Sequence, residues 1–355
     1  MNIVLVSDAW FPQINGVVNT LARTREQLER LGHTVHVISP QGFRTVPMPS
    51  YPEIRLAVFA GRRVHARLDE LKPDAVHIAT EGPLGLAARR WCLRHRFPFT
   101  TSFHTQFPEY VWLRTRIPLA LSYRMMRWFH GPASTVMVAT PTLHARLTQW
   151  GFTNLGMWSR GVDTELFKPR PKAFLDGARP IFMYMGRVAI EKNIEAFLRL
   201  DLPGTKYVVG GGPDLDMLKR RYPAVRFSGY QTGVDLARHL ASADVFVFPS
   251  RTDTFGLVII EALACGVPVA AFPVQGPVDI VQNGETGHLS EELARAALDA
   301  LRLDPNRCRE EALKYTWAAC TQQFLAHLRA ANPRAAEAGL PLTGEPAAAL
   351  PPQRD

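Results

Sequence analysis

Two acids stand eight residues apart in SRTDTFGLVIIEALACG (250–266), Asp253 ahead of Gly256 and Glu261 behind it. If the preceding apolar run, DVFVFPS (244–250), is a buried strand, RTDT is its exit loop, and a helix begins near Gly256 and ends at Cys265 and Gly266. The N–H groups of Gly256, Leu257 and Val258 then have no partner within the helix. Together with the helix dipole they make a site for an anion such as a phosphate. Glu261 lies roughly 7 Å further along the axis at 1.5 Å per residue, out of reach of the same phosphate oxygens but placed for nearby hydroxyls such as those of a ribose. Taken singly, a capping Asp253 and a solvated Glu261 are the commoner arrangements. The apolar LACGVPVAAFP that follows buries this helix between strands and argues against a solvated Glu261.

A second loop, GRVAIEKN (186–193), follows the apolar IFMYMG. A diphosphate leaving group gains negative charge as its bond breaks, so paired cations there stabilise the transition state more than the ground state. Arg187 offers a planar fork and Lys192 a point charge. For either alone, an exposed charge at a helix start is the simpler explanation; the glycine and the strand exit before them favour a ligand site. The third loop, VVGGGPDLDMLKR, has three glycines that let backbone approach a ligand closely, although it is neither GxGxxG nor GxxxxGK. Its DLD pair, Asp214 and Asp216, has the spacing of a divalent-cation site, but it follows Gly-Pro and opens a helical pattern, where an acid needs no metal. In the N-terminal half, PQINGVVNTL sets Gly16 just before a helix, and TTSFHTQFPEY leaves His104 at a strand end, where histidine is more often structural. SRGVDTELF (159–167) carries Arg160 and Gly161 into the second half.

These loops need strands and helices to position them, and the pattern supplies both. Strands are expected at 3–10, 34–39, 54–59, 74–79, 97–104 and 135–140, alternating with helical segments, the first of which carries Val17, Leu21, Leu28 and Leu31 on one stripe. Periodicity lapses across VDTELFKPRPKAFLDGARP (162–180) and then restarts, with strands at 181–186, 206–212, 224–229, 244–250 and 267–273. The fold class is therefore α/β with two Rossmann-like domains, an N-terminal one over 1–165 and a C-terminal one over 166–330, closed by the helices EELARAALDALR and NRCREEALKYTWAACTQQFLAHLR. The Pro- and Ala-rich 331–355 is expected to be a disordered tail. Tandem open sheets bring the carboxyl ends of their strands to a shared cleft.

Composition narrows the chemistry. At 355 residues with 46% hydrophobic and 21% charged, the chain has the size of two ordinary soluble domains. Cys92, Cys265, Cys308 and Cys320 form no CxxC pair, so neither a zinc knuckle nor a disulfide framework is suggested, and a reducing cytoplasm fits. The opening MNIVLVSDAW lacks the features of a signal peptide, and no apolar run approaches transmembrane length. A net charge of +9 favours anionic partners; nucleic acid is disfavoured because no helix-turn-helix, RRM or zinc signature is present. WLRTRIPLALSYRMMRWFHG (112–131) reads as a basic amphipathic helix, with Arg116, Arg124 and Arg127 on one side and Leu119, Leu121, Met125, Met126 and Phe129 on another. It either lies on an anionic membrane or packs on its own sheet, and AARRWCLRHR adds charge nearby.

PSRTDTFGLVIIEALACGVPVAAFPVQGPVDIV resembles the E-x7-E region of family 4 retaining glycosyltransferases of the GT-B fold. Asp253 stands where the family usually has Glu, shortening that arm by a methylene. The resemblance runs from the first strand to about residue 328. It is nearest the subgroup of sulfoquinovosyl-diacylglycerol synthases and GDP-mannose-dependent alpha-mannosyltransferases. It implies that His104, Asp253 and Glu261 serve the transferred sugar and the donor, and that Arg187, Lys192 and the helix start at Gly256, Leu257 and Val258 hold the diphosphate. It also implies that Gly16, Gly211 and Gly161 line the cleft. It further implies metal-independent transfer without a cofactor, the nucleotide-sugar being a co-substrate. The hexose expected is mannose from GDP-mannose or a glucose-type sugar from a UDP-sugar, moved to a lipid or glycan acceptor at the cytoplasmic membrane face. The alternative is a GT-B-like sugar-nucleotide epimerase, which needs no acceptor.

Overall fold

The computed structural model describes residues 1–13, 15–48 and 51–332; all but the first two residues of the expected disordered tail lie outside them. Runs such as Ile181–Met185 and Val245–Phe248 are apolar at every position, and every residue in them is buried. Only a strand covered on both faces accommodates such a run, which is the situation of a parallel sheet wrapped by helices. The strands are β1 (Asn2–Val6), β2 (Thr34–Ile38), β3 (Thr45–Met48), β4 (Tyr51–Ala57), β5 (Ala75–Ile78), β6 (Phe99–Ser102), β7 (Thr135–Val138) and β8 (Leu155–Met157), then β9 (Ile181–Met185), β10 (Thr205–Val209), β11 (Arg226–Gly229), β12 (Val245–Phe248), β13 (Val269–Ala271) and β14 (Gly287–Leu289).

Two six-stranded sheets result, in the orders β2-β1-β5-β6-β7-β8 and β11-β10-β9-β12-β13-β14, with β3 and β4 forming a separate two-stranded ribbon. All pairings within the large sheets are parallel. Each sheet grows outward from its first strand, then resumes on that strand's other side. The reversal falls between β1 and β5 in one sheet and between β9 and β12 in the other.

The last helix, Trp317–Ala331, returns to the first sheet and buries Trp317, Cys320, Phe324, Leu325 and Leu328 with Ile3, Leu5 and Trp158. The Phe324 ring centroid lies 4.8 Å from both His77 and Trp158. The two chain crossings between the halves run side by side: Val162 bridges Thr316, and its N–H donates to the Tyr315 carbonyl at 3.0 Å. Gly161 is buried in this crossing, where a Cβ would come within 2.5 Å of the Trp317 nitrogen.

Three sequence expectations change. Residues 112–131 do not form one helix: Phe107–Thr115 ends at Arg116 in the left-handed region (φ 60°), and a second helix, Leu119–His130, starts after Pro118. Proline disfavours helical backbone in the residue before it and has no N–H to donate. The expected apolar side also divides, with Met126 and Phe129 buried but Leu121 and Met125 exposed. The final segment likewise splits into Pro305–Ala312 and Trp317–Ala331, where Thr316 caps the second helix by accepting from Ala319 N–H at 3.1 Å. In the helix Gly16–Arg30, Leu31 lies past the end and is exposed, while Val18 joins Leu21 and Leu28 inside.

Truncating Phe324 to Ala leaves a cavity against His77 and Trp158 and is expected to cost about 3–5 kcal/mol, read as a lowered urea midpoint at unchanged m-value. A loss below about 1 kcal/mol would mean that the returning helix contributes little to the first sheet's core.

Candidate active site

Exit loops of strands on either side of an order reversal diverge and leave a crevice at the carboxyl edge of the sheet. The loop Gly186–Asn193, leaving β9, carries Arg187 and Lys192; the loop leaving β12 carries Asp253 and reaches Gly256. Tyr184 Oη donates to the Arg187 carbonyl at 2.6 Å, and Asn193 Nδ2 donates to the Pro249 carbonyl at 3.0 Å, so the first loop is fastened to the second. Lys192 Nζ meets Asp253 Oδ1 at 2.5 Å. Burial opposes the lysine's charge, but Asp253, helped by Tyr110 and Tyr184, outweighs it and holds the pKa above the ordinary lysine value. Arg187 Nε lies 3.9 Å from Glu191 Oε1.

Gly256 adopts φ 93° and ψ 67°, and the helix Leu257–Ala264 begins directly after it with no side-chain cap. Its first amides are therefore left for a ligand or water. The helix Gly16–Arg30 differs, because Asn15 Oδ1 accepts from both Val17 and Val18 N–H at 3.0 Å. Asp8 fills the matching crevice of the first sheet, accepting from Leu84 N–H at 2.9 Å, Gly85 N–H at 3.3 Å and Thr80 Oγ1 at 2.9 Å. Glu261, half-buried on the Leu257–Ala264 helix, is pushed up to about 7 by burial, partly offset by Arg23 of the N-terminal half.

Several bonds close the first sheet onto this edge. Thr254 Oγ1 donates to the His104 carbonyl at 2.7 Å, and Gln106 Nε2 donates to the Asp253 carbonyl at 3.2 Å. The Gln106 amide is oriented by Arg146, which donates to its Oε1 at 3.0 Å and also pairs with Glu109. Thr142 donates from both its N–H and its hydroxyl to Asp279 Oδ1, at 2.9 and 2.7 Å. His104 Nδ1 lies 3.2 Å from Arg160 Nη2. Burial, followed by the charges of Arg160, His77 and His130, keeps the imidazole neutral well below the ordinary histidine pKa.

Buried polar atoms are normally paired, yet His104 Nε2, Ser250 Oγ, Asp253 Oδ2 and both Gln275 side-chain atoms have no partner among the described residues. These residues follow β6, β12 and β13. The loop holding Gln275 packs on that of Asp253, since a Cβ on Gly276 would lie 2.8 Å from the Phe255 carbonyl and 3.4 Å from that of Asp253. Donors and acceptors left unpaired together suit a ligand rich in hydroxyls, which can serve both.

The model of Glycosyltransferase Family 4 matches residues 14–166, and that of Glycosyl transferases group 1 matches 167–312. A GDP-mannose-dependent alpha-mannosyltransferase of Mycolicibacterium smegmatis is 30% identical over 370 residues, covering 93% of this chain and 97% of that protein. The chain belongs to the family 4 glycosyltransferases. The sulfoquinovosyl transferase SQD2 of Arabidopsis thaliana is 28% identical over 371 residues, covering 90% of the chain and 72% of SQD2. Sucrose-phosphate synthase from Thermosynechococcus elongatus shares the GT-B fold, with a TM-score of 0.73 at 22% identity over 92% of this chain and 98% of that one. None of these glycosyltransferases supports the epimerase alternative.

Of the residues singled out from sequence, the glycosyltransferase brings His104, Arg187, Lys192, Asp253 and Gly256 to one edge, with Leu257, Val258 and Glu261 on the adjoining helix. Gly16 faces that helix, its Cβ position 3.5 Å from Leu257 Cδ1. At Gly211 a Cβ would only touch Tyr230 Cβ at 3.7 Å, whereas Gly210 and Gly212 are the sterically required members of the triplet: a Cβ would lie 1.9 Å from the Gly186 carbonyl and 2.2 Å from that of Val188. Gly161 packs beneath Trp317, and its close approach to backbone accounts for the glycine without a nucleotide. Tyr110, which shares a hydrogen bond with Thr252 and neighbours Lys192, is absent from the sequence reading, as are Ser250 and Gln275. Ser250 and Gln275 have only position just after a buried strand as a sequence signal, and Tyr110, inside the helix Phe107–Thr115, has none.

Because the folded Glu261 pKa is raised above its unfolded value, its contribution to stability is present below about pH 4.5 and is lost as pH rises through about 7. Glu261→Gln should therefore melt close to the wild type at pH 4.5 and above it at pH 8 in the absence of ligand. Parallel melting curves across that range would contradict the buried carboxyl.

Proposed function

We propose that this family 4 glycosyltransferase moves a hexose with retention of configuration from a nucleotide-sugar to a lipid or glycan hydroxyl. The observation that carries the reading is the set of unpartnered buried atoms, His104 Nε2 and Asp253 Oδ2 foremost, gathered beside two cations and an uncapped helix start. The diphosphate takes Arg187, Lys192 and the amides of Leu257 and Val258 after Gly256, with Glu261 accepting from the ribose hydroxyls and His104 and Asp253 contacting the sugar. As the bond from sugar C1 to the phosphate oxygen breaks, these donors receive the developing charge. The acceptor oxygen bonds to C1 from the same face, and its proton passes to the departing phosphate, so no side chain has to act as base. Gly211 and Gly16 border the nucleotide and the acceptor side. The two units divide at residue 165, a division supported by the boundary between the two family matches.

GDP-mannose is the first choice of donor, supported by the mycobacterial relative's name, and a UDP-sugar is the second. Lys192→Ala is expected to lower kcat by at least about a hundredfold with the fold retained, measured as acceptor-dependent release of nucleoside diphosphate; near-normal turnover would refute the assignment. An upward shift in melting temperature with one of the GDP-, UDP- or ADP-sugars identifies the donor.

A lipid acceptor would bring the N-terminal half to a membrane surface. No helix of the described residues is long and apolar enough to cross a membrane. Leu121, Met125 and Trp128 are exposed on the helix Leu119–His130, beside a groove lined by Leu86, Arg89, Arg90, Leu93, Arg94 and Trp128. Apolar side chains ringed by arginines suit peripheral contact with anionic lipid. Flotation with anionic but not neutral liposomes is expected, and Trp128→Ser with Arg90→Glu should weaken it; equal flotation with both liposomes would count against this surface.

A further inference from the structure

Arg160 is 4% exposed and pairs with no carboxylate among the described residues. An unpaired buried charge is costly, so its contacts need a reason. Nη1 donates to the carbonyls of Trp158 at 2.6 Å and Ser159 at 2.9 Å, and the guanidinium lies 4.5 Å from the Trp158 ring centroid. This holds the planar fork rigidly. The other terminal nitrogen, Nη2, lies 3.2 Å from His104 Nδ1. Guanidinium has donors and no acceptor, so across this contact Nδ1 can only accept, and the proton of the neutral ring sits on Nε2. Nε2 is the atom left buried without a partner.

We propose that Arg160 is a positioning residue that locks His104 as a neutral imidazole protonated on Nε2, so that the ring donates a hydrogen bond to a hydroxyl of the bound sugar and is closed to a role as base. This rests on His104 being the sugar contact proposed above. The surroundings favour the same state. Arg160, His77 and His130 all oppose a second proton on the ring. His77 bonds Thr100 and Ser102, and His130 bonds Thr101 and Glu81. The facing loop contributes the Thr254 hydroxyl on the His104 carbonyl and an Asp253 already paired with Lys192. A ring carrying its proton on Nδ1 would turn a lone pair toward the sugar and a donor toward the guanidinium, reversing both contacts.

The test is long-range nitrogen–proton correlation NMR on the full chain labelled at histidine, with His104 assigned by its absence in His104→Ala. In the wild type, Nδ1 should have the shift of a bare nitrogen and Nε2 that of a protonated one, unchanged from about pH 5 to 8. Arg160→Lys, which keeps a donor, should preserve the signature and most of the activity. Arg160→Met should let the neutral ring carry its proton on either nitrogen, seen as Nδ1 and Nε2 shifts drawn together, with kcat reduced about tenfold to a hundredfold. A wild-type ring protonated on Nδ1, or an Arg160→Met ring with the wild-type signature, overturns the proposal. The first of these measurements needs no variant and so survives misfolding of Arg160→Met. If the signature is as expected but His104→Ala transfers sugar normally, the sugar-contact reading fails and the lock stands.

Discussion

A parallel sheet whose strand order reverses has one place at its carboxyl edge where neighbouring loops must part, and this molecule has two. They are treated differently. In the first sheet the crevice is filled from within: Asp8 places its carboxylate on the amides of Leu84 and Gly85, and burial raises its pKa despite those donors. In the second, the helix Leu257–Ala264 is likewise preceded by a glycine, as Gly82 precedes the helix Pro83–Arg94, but the loop leaving β9 sends no acid onto its first amides and carries Arg187 and Lys192 instead. A glycine at φ 93° is doubly determined there, since an added Cβ would also press on Ile259 Cδ1 at 3.0 Å. On the proposed reading, the donor takes whichever of the two crevices is not already occupied.

The cations at the open crevice face an electrostatic difficulty when no donor is bound. Two positive groups on one short loop repel each other and need counter-charge. The chain supplies it locally, with Glu191 near Arg187 and Asp253 on Lys192. A diphosphate bound as proposed would replace part of that counter-charge and would not simply add to an exposed positive patch. The Asp253 oxygen that holds Lys192 is one of two; the other remains unpaired. If the donor binds as proposed, this single carboxylate would touch both the phosphate-binding lysine and the sugar.

Sequence reading reached the architecture because uninterrupted apolar strands such as Ile181–Met185 and Val245–Phe248 leave few alternatives, and it reached the loops because they follow those strands. Short edge strands escaped it. Gly287–Leu289 has three residues and begins with a glycine, needed because a Cβ would lie 2.3 Å from the Val269 carbonyl. In the glycine triplet, Gly210 and Gly212 meet carbonyls that only the folded chain brings near. Tyr110 and Gln106 depend on a contact between halves more than a hundred residues apart in sequence, which no local pattern encodes. The helix break at Ile117–Pro118 was legible in principle, but the apolar periodicity on both sides outweighed a single proline.

The paired crossings at Val162 and Thr316 limit how the molecule can open. Two strands joined by a backbone bond at the waist cannot slide past each other without breaking it, whereas small torsional changes on either side let the halves swing about that line. Displacement under such a pivot grows with distance from the axis. The rim bonds of Thr142 to Asp279 and of Thr254 to the His104 carbonyl would then part, while the buried, tilted packing of Trp158 against Phe324 stays intact.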